Sequence, residues 1–476
     1  MSNETRLSKF LASIKPLQEK FIKDVLDKKE PILLISHYDA DGLTAISLLA
    51  IFLKKRNIPY HIKILEQIDE NSISKIGKLG YNTILFTDLG SGEYSLIRET
   101  LKGKNLYILD HHQPEEVSRS EEISEVNPYF YGVNGSVEVS SSALAYIFLR
   151  DLDEEIITYS PLVIVGALAD RQDVGPRFSL VGLNEAIAKE AEEYGLLKKE
   201  IGLRLASSKN RPLLKALEYT FDPYIPGLSG REDSCLIFLR NIGINPDKDG
   251  QLRYISELTR DEIRKLATAL IKYMLDIGVP LKDAERIFGI NYYLLNEHEK
   301  SFLYDAREYG QVLNSCGRMG RCDVAIALCM GVREKILEEA LNIVKEYRKT
   351  LAKVLEEAFK RKRKEGPIVI LDLRDLADSK ITGAIASILS SVWSEETDVV
   401  VVIGRSDVEG KVKISARLTR KIPESKHEKN LGYALKTAAK AVGGVGGGHV
   451  RAGGALIPAE NMKTFIEFLL NNLSTI

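Results

Sequence analysis

The chain has 476 residues, and its 66 Lys and Arg side chains are nearly balanced by 67 Asp and Glu. A single hydrophobic core rarely organises more than about 250 to 300 residues, so we expect at least two domains. The balanced charge excludes a protein that binds polyanions through overall basicity, so any such site must be local. Apolar stretches are shorter than the roughly 18 residues that span a membrane, and the first residues are polar, which predicts a soluble cytoplasmic protein without a membrane partner.

The cysteines are too few and too unevenly spaced for a disulfide scaffold, and none form the pairs of a zinc ribbon. We interpret them as reduced thiols of the core or surface: Cys235, Cys316, Cys322 and Cys329. Glutamine is scarce, whereas Lys and Glu are abundant in alternating runs. That composition favours a thermophilic source.

Short apolar runs alternate with helix-like stretches over the first 200 residues. Four runs have the length of buried strands: 32–35, 62–65, 83–86 and 106–109. Continuous apolar strands separated by helices predict a parallel sheet covered on both faces, so residues 1–200 are expected to form an α/β domain. In such sheets the functional groups gather beyond the carboxyl ends of the strands.

The remaining chain divides into three predicted parts. Residues 201–303 have the pattern of a mainly helical insertion broken by Pro and Gly. Residues 304–365 contain a return segment and a long amphipathic helix over 332–364, which would connect two domains. New strand-like runs then open a second, smaller α/β region, residues 366–476.

The first polar cluster follows the first predicted strand. Its alternate residues His37, Asp39 and Asp41 can converge their side chains at the strand end, while Gly42 frees the backbone to turn. A helix N-cap is the alternative interpretation, but a cap needs one acidic residue rather than three spaced ligands. The pattern therefore favours a metal site.

Three further clusters follow predicted strands or end a helix. Asp88 follows the third apolar run, where a lone Asp would usually indicate a turn or a helix cap. Asp110, His111 and His112 follow the fourth run, and because such a group would cost desolvation without a packing gain, metal ligation is the better interpretation. Asp170 ends an apolar helix of small residues, where a water-facing residue is an equal alternative.

Together these clusters supply imidazole and carboxylate groups from four separate strand or helix ends. Mixed donors of this kind suit manganese or magnesium, because thiolates are absent and hard oxygen donors dominate. There are more carboxylates than one divalent ion requires, so two ions bridged by a shared carboxylate are the natural inference. Such a site needs no nucleophilic side chain, because a water activated by the ions can attack phosphorus in line.

A glycine-rich segment at residues 443–454 is the last cluster. The glycines expected to let backbone N–H groups approach a phosphate closely are Gly446, Gly447 and Gly448. His449 and Arg451 add charge or donors, which makes a plain hinge the weaker interpretation. Arg417 offers another cation, although a strand that ends in Arg is often only a solvated edge.

In order and spacing, the four N-terminal clusters resemble the motifs of the DHH phosphoesterase superfamily, whose name-giving triplet is present here as Asp110-His111-His112. The glycine-rich segment resembles the signature of the DHH-associated substrate-binding domain. The resemblance covers both ends of the chain and rests on five motifs. It implies an N-terminal DHH domain and a C-terminal DHH-associated domain joined by the helical insertion and the long helix.

The resemblance also implies roles for single residues. One ion would be held by His37, Asp39 and Asp88. The other would be held by Asp41, Asp88, His111 and Asp170, so that Asp88 bridges the two. His112, which would face the scissile phosphate, and Asp110 are the expected catalytic residues. The glycine loop would anchor a neighbouring phosphate or the terminal nucleotide together with His449, Arg417 and Arg451.

Within the superfamily, the size and the insertion resemble the archaeal RecJ-like exonucleases, including the nuclease associated with the GINS replication complex. This implies hydrolysis of single-stranded DNA from the 5′ end with release of 5′-mononucleotides, in replication or repair. Manganese would be the preferred ion, with magnesium as the alternative, and GINS a protein partner. Residues 314–321 are similar to a segment of that group, so Arg318 would line the substrate path, with simple packing on the first domain as the equal alternative.

Other hypotheses share these motifs. One is a phosphodiesterase for short RNA oligonucleotides or cyclic dinucleotides, whose relatives are usually compact, so the insertion speaks against it. Another is a 3′-to-5′ exonuclease acting on RNA. A hypothesis of a different class is a replisome scaffold, since the superfamily includes a helicase-associated subunit that has lost metal ligands. Here every expected ligand is present, which favours catalysis.

Overall fold

The computed structural model describes residues 3–206, 209, 211–419, 431–448 and 450–473. The chain forms two compact units, each made of two stretches of sequence. Unit 1 comprises residues 1–202 and 289–344, and unit 2 comprises residues 203–288 and 345–476.

The helices and strands are numbered here in chain order. The α-helices are α1 (Asn3–Phe21), α2 (Ala40–Lys55), α3 (Glu70–Gly77), α4 (Tyr94–Thr100), α5 (Ser141–Arg150), α6 (Ser160–Ala169), α7 (Gly182–Glu193), α8 (Leu213–Glu218), α9 (Glu232–Asn241), α10 (Arg260–Asp276), α11 (Leu281–Ala284), α12 (Ala306–Arg318), α13 (Cys322–Cys329), α14 (Lys335–Lys360), α15 (Ser379–Val392), α16 (Leu431–Ala441) and α17 (Met462–Leu473). The strands are β1 (Ile32–His37), β2 (Tyr60–Leu65), β3 (Thr83–Thr87), β4 (Asn105–Leu109), β5 (Ile123–Val126), β6 (Leu197–Leu203), β7 (Asp247–Lys248), β8 (Gln251–Leu252), β9 (Phe288–Leu294), β10 (Arg363–Glu365), β11 (Ile368–Asp372), β12 (Val399–Arg405), β13 (Lys411–Leu418), β14 (Val445–Gly448) and β15 (Ala452–Pro458).

Unit 1 is built on a five-stranded sheet in the order β2-β1-β3-β4-β5. All four neighbouring pairs run parallel. Strands β3 and β4 are buried over almost their whole length, as expected for a sheet covered on both faces. The α/β class predicted from the apolar runs is confirmed, and each of the four predicted strands is present.

Helices cover both faces of this sheet. On one face α2 is buried from Ala40 to Leu53, and its sequence is predominantly apolar, as expected for a buried helix. Phe21 of α1 meets Phe148 of α5 at 5.3 Å and Tyr107 of β4 at 5.5 Å, both edge to face. On the other face, isoleucines of α3 and α4 complete a second apolar layer.

The range that the sequence predicts to be a mainly helical insertion also contains strands. Strand β9 lies within residues 201–303 and pairs with β6. Its sequence Phe-Gly-Ile-Asn-Tyr-Tyr-Leu is rich in aromatic and β-branched residues, which favour strands once a neighbouring strand is available. After β9 the chain returns to unit 1 as α12, where Gly310 allows close contact with Ala169 of α6.

Unit 2 contains a helical part and a mixed sheet. The helical part has its own core, including Leu217, Leu239 and Leu270. The sheet has the order β10-β11-β12-β13-β15-β14, with β11 and β12 parallel and the other pairs antiparallel. The long helix predicted over 332–364 is α14, and its second half packs against β11 and α15 through Leu351 and Leu355. Among the helices that the structure describes, none is both long and apolar enough to cross a bilayer.

The aromatic cluster around Phe21 should dominate the stability of unit 1. Phe21 is completely buried, so Phe21→Ala should lower the free energy of unfolding by roughly 3–5 kcal/mol through lost burial and a residual cavity. Leu11→Ala on the same helix is the control, because Leu11 is 40% exposed and its loss should cost less than about 0.5 kcal/mol. Guanidinium denaturation followed by circular dichroism measures both, and equal costs would contradict this account of the core.

Candidate metal centre

Three neighbouring strands end side by side at one edge of the parallel sheet. His37 is the last residue of β1, Asp88 follows β3, and Asp110 follows β4. The register aligns Ser36 with Thr87 and Thr87 with Leu109, so these polar residues are the next ones along three adjacent strands. The Asp88 N–H donates to the Leu109 carbonyl at 3.1 Å, which extends the ladder to this edge.

The first group of candidate ligands is His37, Asp39 and Asp88. The His37 Nδ1 atom lies 2.9 Å from Asp39 Oδ2 and 3.7 Å from Asp88 Oδ2. Asp39 also caps α2, because its Oδ1 accepts a hydrogen bond from Gly42 N at 3.0 Å. A Cβ atom at Gly42 would lie 2.7 Å from the His37 carbonyl oxygen, so only glycine allows this approach.

The second group is Asp41, His111 and Asp170. The His111 Nε2 atom lies 3.8 Å from Asp41 Oδ2, 3.9 Å from Asp170 Oδ2 and 3.3 Å from Asp88 Oδ1. Asp88 therefore faces the first group through Oδ2 and the second through Oδ1. On the other side of the ring, His111 Nδ1 lies 2.8 Å from the Gly135 carbonyl, to which it can donate its proton. That tautomer leaves the Nε2 lone pair directed at the carboxylates.

The environment of the Asp88 carboxylate favours the binding of a cation. Its side chain is 1% exposed, and the buried Oδ2 atom has no hydrogen-bond partner among the described residues. Its backbone is left-handed, with φ of 61°, a conformation that is uncommon for residues other than glycine. Burial, with Asp39 nearby, raises the pKa of Asp88 to about 7. An ion beside Oδ2 would satisfy this atom, so the donor set fits a divalent metal.

The charge of the two groups also fits two divalent ions. Their four carboxylates carry four negative charges when ionised, and two of them, Asp41 and Asp88, are almost completely buried. Burial raises the pKa of Asp170 to about 6, although His111 opposes the shift. Burial alone would lower the pKa of His111, but Asp88, Asp170 and Asp41 raise it well above its usual value. Without metal ions, protons held by residues such as His111 and Asp170 therefore offset the negative charge that cations would otherwise neutralise.

His112 and Asp110 form a pair beside this cluster. Asp110 is 1% exposed, and its Oδ1 atom lies 2.8 Å from His112 Nδ1. Its other oxygen accepts a hydrogen bond from Ser91 N at 3.0 Å, so the carboxylate is held on both sides. Burial opposes protonation of His112, but Asp110 outweighs it and raises the pKa of His112 to about 9. His112 is thus a cationic donor, 35% exposed, at the rim of the cluster.

Several residues that sequence inspection missed support these groups. Ser141 N and Ser142 N, at the start of α5, both donate to the Asp41 carboxylate, and the Ser141 hydroxyl donates to Asp88 Oδ1 at 2.9 Å. Gln172 donates to Asp170 Oδ2 at 2.8 Å. Asn314 Oδ1 accepts from the N–H of Ala40, next to Asp39. The run of serines is typical of a helix start, and Ser140 is the N-cap of α5, but nothing local links Ser141 or Ser142 to Asp41, a hundred residues earlier.

The predicted substrate-binding residues of the C-terminal region lie in unit 2. Gly446–Gly448 form most of β14, where Gly447 is aligned with Gly454 of β15. Arg417 donates to Ser387 Oγ at 3.0 Å, and Arg451 donates to the Thr419 carbonyl at 2.8 Å. His449 lies outside the described residues. In unit 1, Arg318 is the last residue of α12, directly after Gly317, whose backbone abuts the carbonyl of Tyr38.

Three family models match the chain, each over a different part. The N-terminal domain of the DHH family matches residues 31–167, the DHH-CID domain residues 206–288, and the DHHA1 domain residues 365–475. The uncharacterized protein MJ0831 of Methanocaldococcus jannaschii is 31% identical over 474 residues, which cover 96% of each chain. The chain belongs to the DHH family. The match to its N-terminal domain ends just before Asp170, so it includes most of the candidate ligands.

Solved structures show a RecJ-like fold for this DHH protein. RecJ from Thermus thermophilus in complex with Mn²⁺ has a TM-score of 0.58 at 16% identity, over 98% of this chain and 55% of that one, so the chain spans about half the length of that RecJ. CDC45 from Entamoeba histolytica has a TM-score of 0.66 at 11% identity, over 98% and 99% of the two chains. At these identities the likeness concerns the fold alone.

Asp88→Asn should separate the metal account from a purely structural one. Asn tolerates the left-handed backbone and removes one buried like charge, so the metal-free variant should melt at the same temperature as the wild type or about 2–4 °C higher. Added Mn²⁺ should raise the melting temperature of the wild type but not of the variant. Differential scanning fluorimetry with EDTA and Mn²⁺ series measures both.

Asp261→Asn is the matched control for charge removal, because the Asp261 side chain is 92% exposed and lies in unit 2. It should respond to Mn²⁺ like the wild type. Equal stabilisation of all three proteins by Mn²⁺ would mean that Asp88 holds no ion.

Proposed function

We propose that the protein is a two-metal, single-strand-specific exonuclease of the RecJ type. The observation that carries the proposal is the position of Asp88, whose two buried oxygens face two separate groups of imidazole and carboxylate ligands. A carboxylate shared in this way is the arrangement by which two divalent ions act on one phosphodiester. His37, Asp39 and Asp88 would hold one ion, and Asp41, Asp88, His111 and Asp170 the other.

The bound ions would supply Lewis-acid chemistry and lower the pKa of an attacking water. The protein's own side chains then have to orient the metal ligands and the substrate and to donate protons. A side chain is not needed as the nucleophile. The Ser141 and Ser142 hydroxyls donate to Asp88 and Asp41 and so hold these two carboxylates in position. His112, kept protonated by Asp110, would donate to a non-bridging phosphate oxygen and stabilise the charge that develops there.

Substrate binding is proposed for residues beyond the metal centre. In β14 the glycines Gly446–Gly448 would bring backbone N–H groups close to a phosphate, and Arg417 and Arg451 would add charge. Arg318 would contact the bound nucleic-acid strand near the motif that begins at His37. From the family resemblance we further propose single-stranded DNA as substrate, cleavage from the 5′ end, Mn²⁺ as the preferred ion, and the GINS complex as a partner.

A replisome scaffold is the second candidate, and the similarity to CDC45 over nearly the whole of both chains favours it. A scaffold has no need of convergent buried carboxylates, which cost stability unless they are neutralised. Their presence in this protein therefore supports catalysis as the primary function. Binding to a replication complex is compatible with that catalysis.

A time course on end-labelled single-stranded DNA and RNA with Mn²⁺ tests the activity. Because the chemistry would need both ions, wild-type protein should release mononucleotides stepwise from one end, Asp88→Asn should be inactive, and Asp261→Asn should match the wild type. Activity confined to di- to tetranucleotides would indicate the short-oligonucleotide phosphodiesterase instead. Inactivity of the wild type on every substrate would leave the scaffold as the better hypothesis.

His112→Asn tests the role of the cationic donor. Loss of one donor to the transition state should lower kcat by about 10²–10³-fold while the Mn²⁺-induced rise in melting temperature persists. His61→Asn is the matched control, because His61 is exposed on β2 and contacts Tyr81 rather than the centre. Loss of Mn²⁺ stabilisation in His112→Asn would contradict this role and place His112 among the ligands.

A further inference from the structure

A chain of buried hydrogen bonds joins two carboxylates of the candidate metal centre. It starts at Asp41, whose Oδ1 accepts from the Ser142 hydroxyl at 2.5 Å. The Ser140 and Ser142 hydroxyl oxygens are 2.8 Å apart, and the Ser140 N–H donates to Asn184 Oδ1 at 3.1 Å. Asn184 Nδ2 then donates to Gln172 Oε1 at 2.6 Å. Gln172 Nε2 completes the chain by donating to Asp170 Oδ2 at 2.8 Å.

We call this chain of hydrogen bonds the relay. Each hydrogen bond in it has only one consistent direction from donor to acceptor. The Ser142 proton goes to Asp41, so Ser142 Oγ must accept from the Ser140 hydroxyl. Asn184 accepts from a backbone N–H, which fixes which end of its amide faces Gln172. Gln172 Nε2 in turn faces three oxygen acceptors: Asp170 Oδ2, the Gly135 carbonyl at 2.9 Å and the Val139 carbonyl at 3.4 Å. Reversing either amide would set like groups against each other.

The relay is more deeply buried than one of the carboxylates it serves. The exposed fraction is 0% for Ser140, Ser142, Gln172 and Asn184, whereas the Asp170 side chain is 33% exposed. Packing around the first link is tight, because a Cβ atom at Gly166 would lie 2.3 Å from Ser142 Oγ and 2.5 Å from Asp41 Oδ1. Satisfied buried polar networks add little net stability compared with apolar groups of the same shape. Ser140 also caps α5, because its hydroxyl accepts a hydrogen bond from Ala143 N at 3.2 Å. For Ser142, Gln172 and Asn184, stability alone is not a sufficient account.

The hydrogen bonds also determine which lone pairs Asp41 can offer to an ion. An ionised carboxylate has about four acceptor positions. Ser142 N and Ser142 Oγ take both positions of Asp41 Oδ1, and Ser141 N takes one of Oδ2 at 2.6 Å. The remaining position is on Oδ2, the oxygen that lies 3.8 Å from His111 Nε2. Asp41 can thus act through one oxygen only.

We propose that Ser142, Ser140, Asn184 and Gln172 are positioning residues that set the orientation of Asp41 and Asp170 toward a shared divalent ion. The proposal rests on the metal centre of the proposed function and deepens it. Asn184 contacts neither carboxylate, yet its side chain connects Ser140 at one end of the relay to Gln172 at the other. Residues that orient metal ligands in this way typically change metal affinity by about 10–100-fold when they are replaced.

Asn184→Leu is the decisive variant, because it approximately keeps the side-chain volume and removes both hydrogen bonds of the side-chain amide. We expect isothermal titration with Mn²⁺ to show a loss of affinity of about 10–100-fold for one of two ions. The Mn²⁺ concentration for half-maximal nuclease activity should rise in parallel, with kcat restored at saturating Mn²⁺. Gln18→Met is the control, since Gln18 is a buried amide of unit 1 that donates to the Phe148 carbonyl at 2.9 Å.

Ser142→Ala is the milder second variant in case Asn184→Leu does not fold, because it retains the Ser142 N–H bond to Asp41. It should weaken the same ion by a smaller factor. Mn²⁺ affinity within twofold of the wild type in both variants would overturn the proposal. So would an equal loss of affinity in Gln18→Met, which would indicate general damage to the core.

The relay proposal and the nuclease proposal can be refuted independently of each other. Wild-type protein that binds Mn²⁺ but cleaves nothing, with affinity still dependent on Asn184, would support the relay and refute the nuclease. Wild-type protein that cleaves DNA, with Mn²⁺ affinity indifferent to Asn184 and Ser142, would refute the relay alone.

Discussion

Repulsion among four carboxylates at one edge of a parallel sheet is the constraint on which the rest of unit 1 depends. Asp41 and Asp88 are nearly inaccessible to water, where like charges interact strongly and ionisation is costly. The fold counters this with hydrogen-bond donors from the start of α5 and with imidazoles from His37 and His111. The backbone donors orient the oxygens without neutralising them, whereas protonated imidazoles offset part of the negative charge. The remaining charge fits divalent cations.

The topology explains why these groups meet. Parallel strands carry their carboxyl ends to one edge, and β1, β3 and β4 are direct neighbours there. Asp170 arrives from a different direction, at the end of α6, which packs against α2. The approach is close because Gly42 and Gly166 leave no room for a Cβ atom. Small residues at these contacts are therefore part of the centre, although they offer no ligand.

Under the proposed function, side chains of unit 1 would carry out the chemistry and backbone groups of unit 2 would bind the substrate. Unit 1 presents charged and imidazole groups whose partners hold them in fixed orientations. Unit 2 presents a glycine-rich edge strand, and both of its candidate arginines, Arg417 and Arg451, make hydrogen bonds within their own unit. Phosphate recognition there would depend on β14 backbone groups first and on guanidinium charge second.

The sequence alone was sufficient for the α/β class, the four strands of the parallel sheet and the long helix, because these follow from local apolar patterns. It also located the polar clusters at strand ends, since the carboxyl edge of such a sheet is a topological rule. It did not predict β9, whose pairing with β6 depends on a strand some ninety residues away in the chain. Nor did it identify Ser142, Asn184 or Gln172, because a buried amide or hydroxyl acquires its role only from the partner that tertiary packing brings to it.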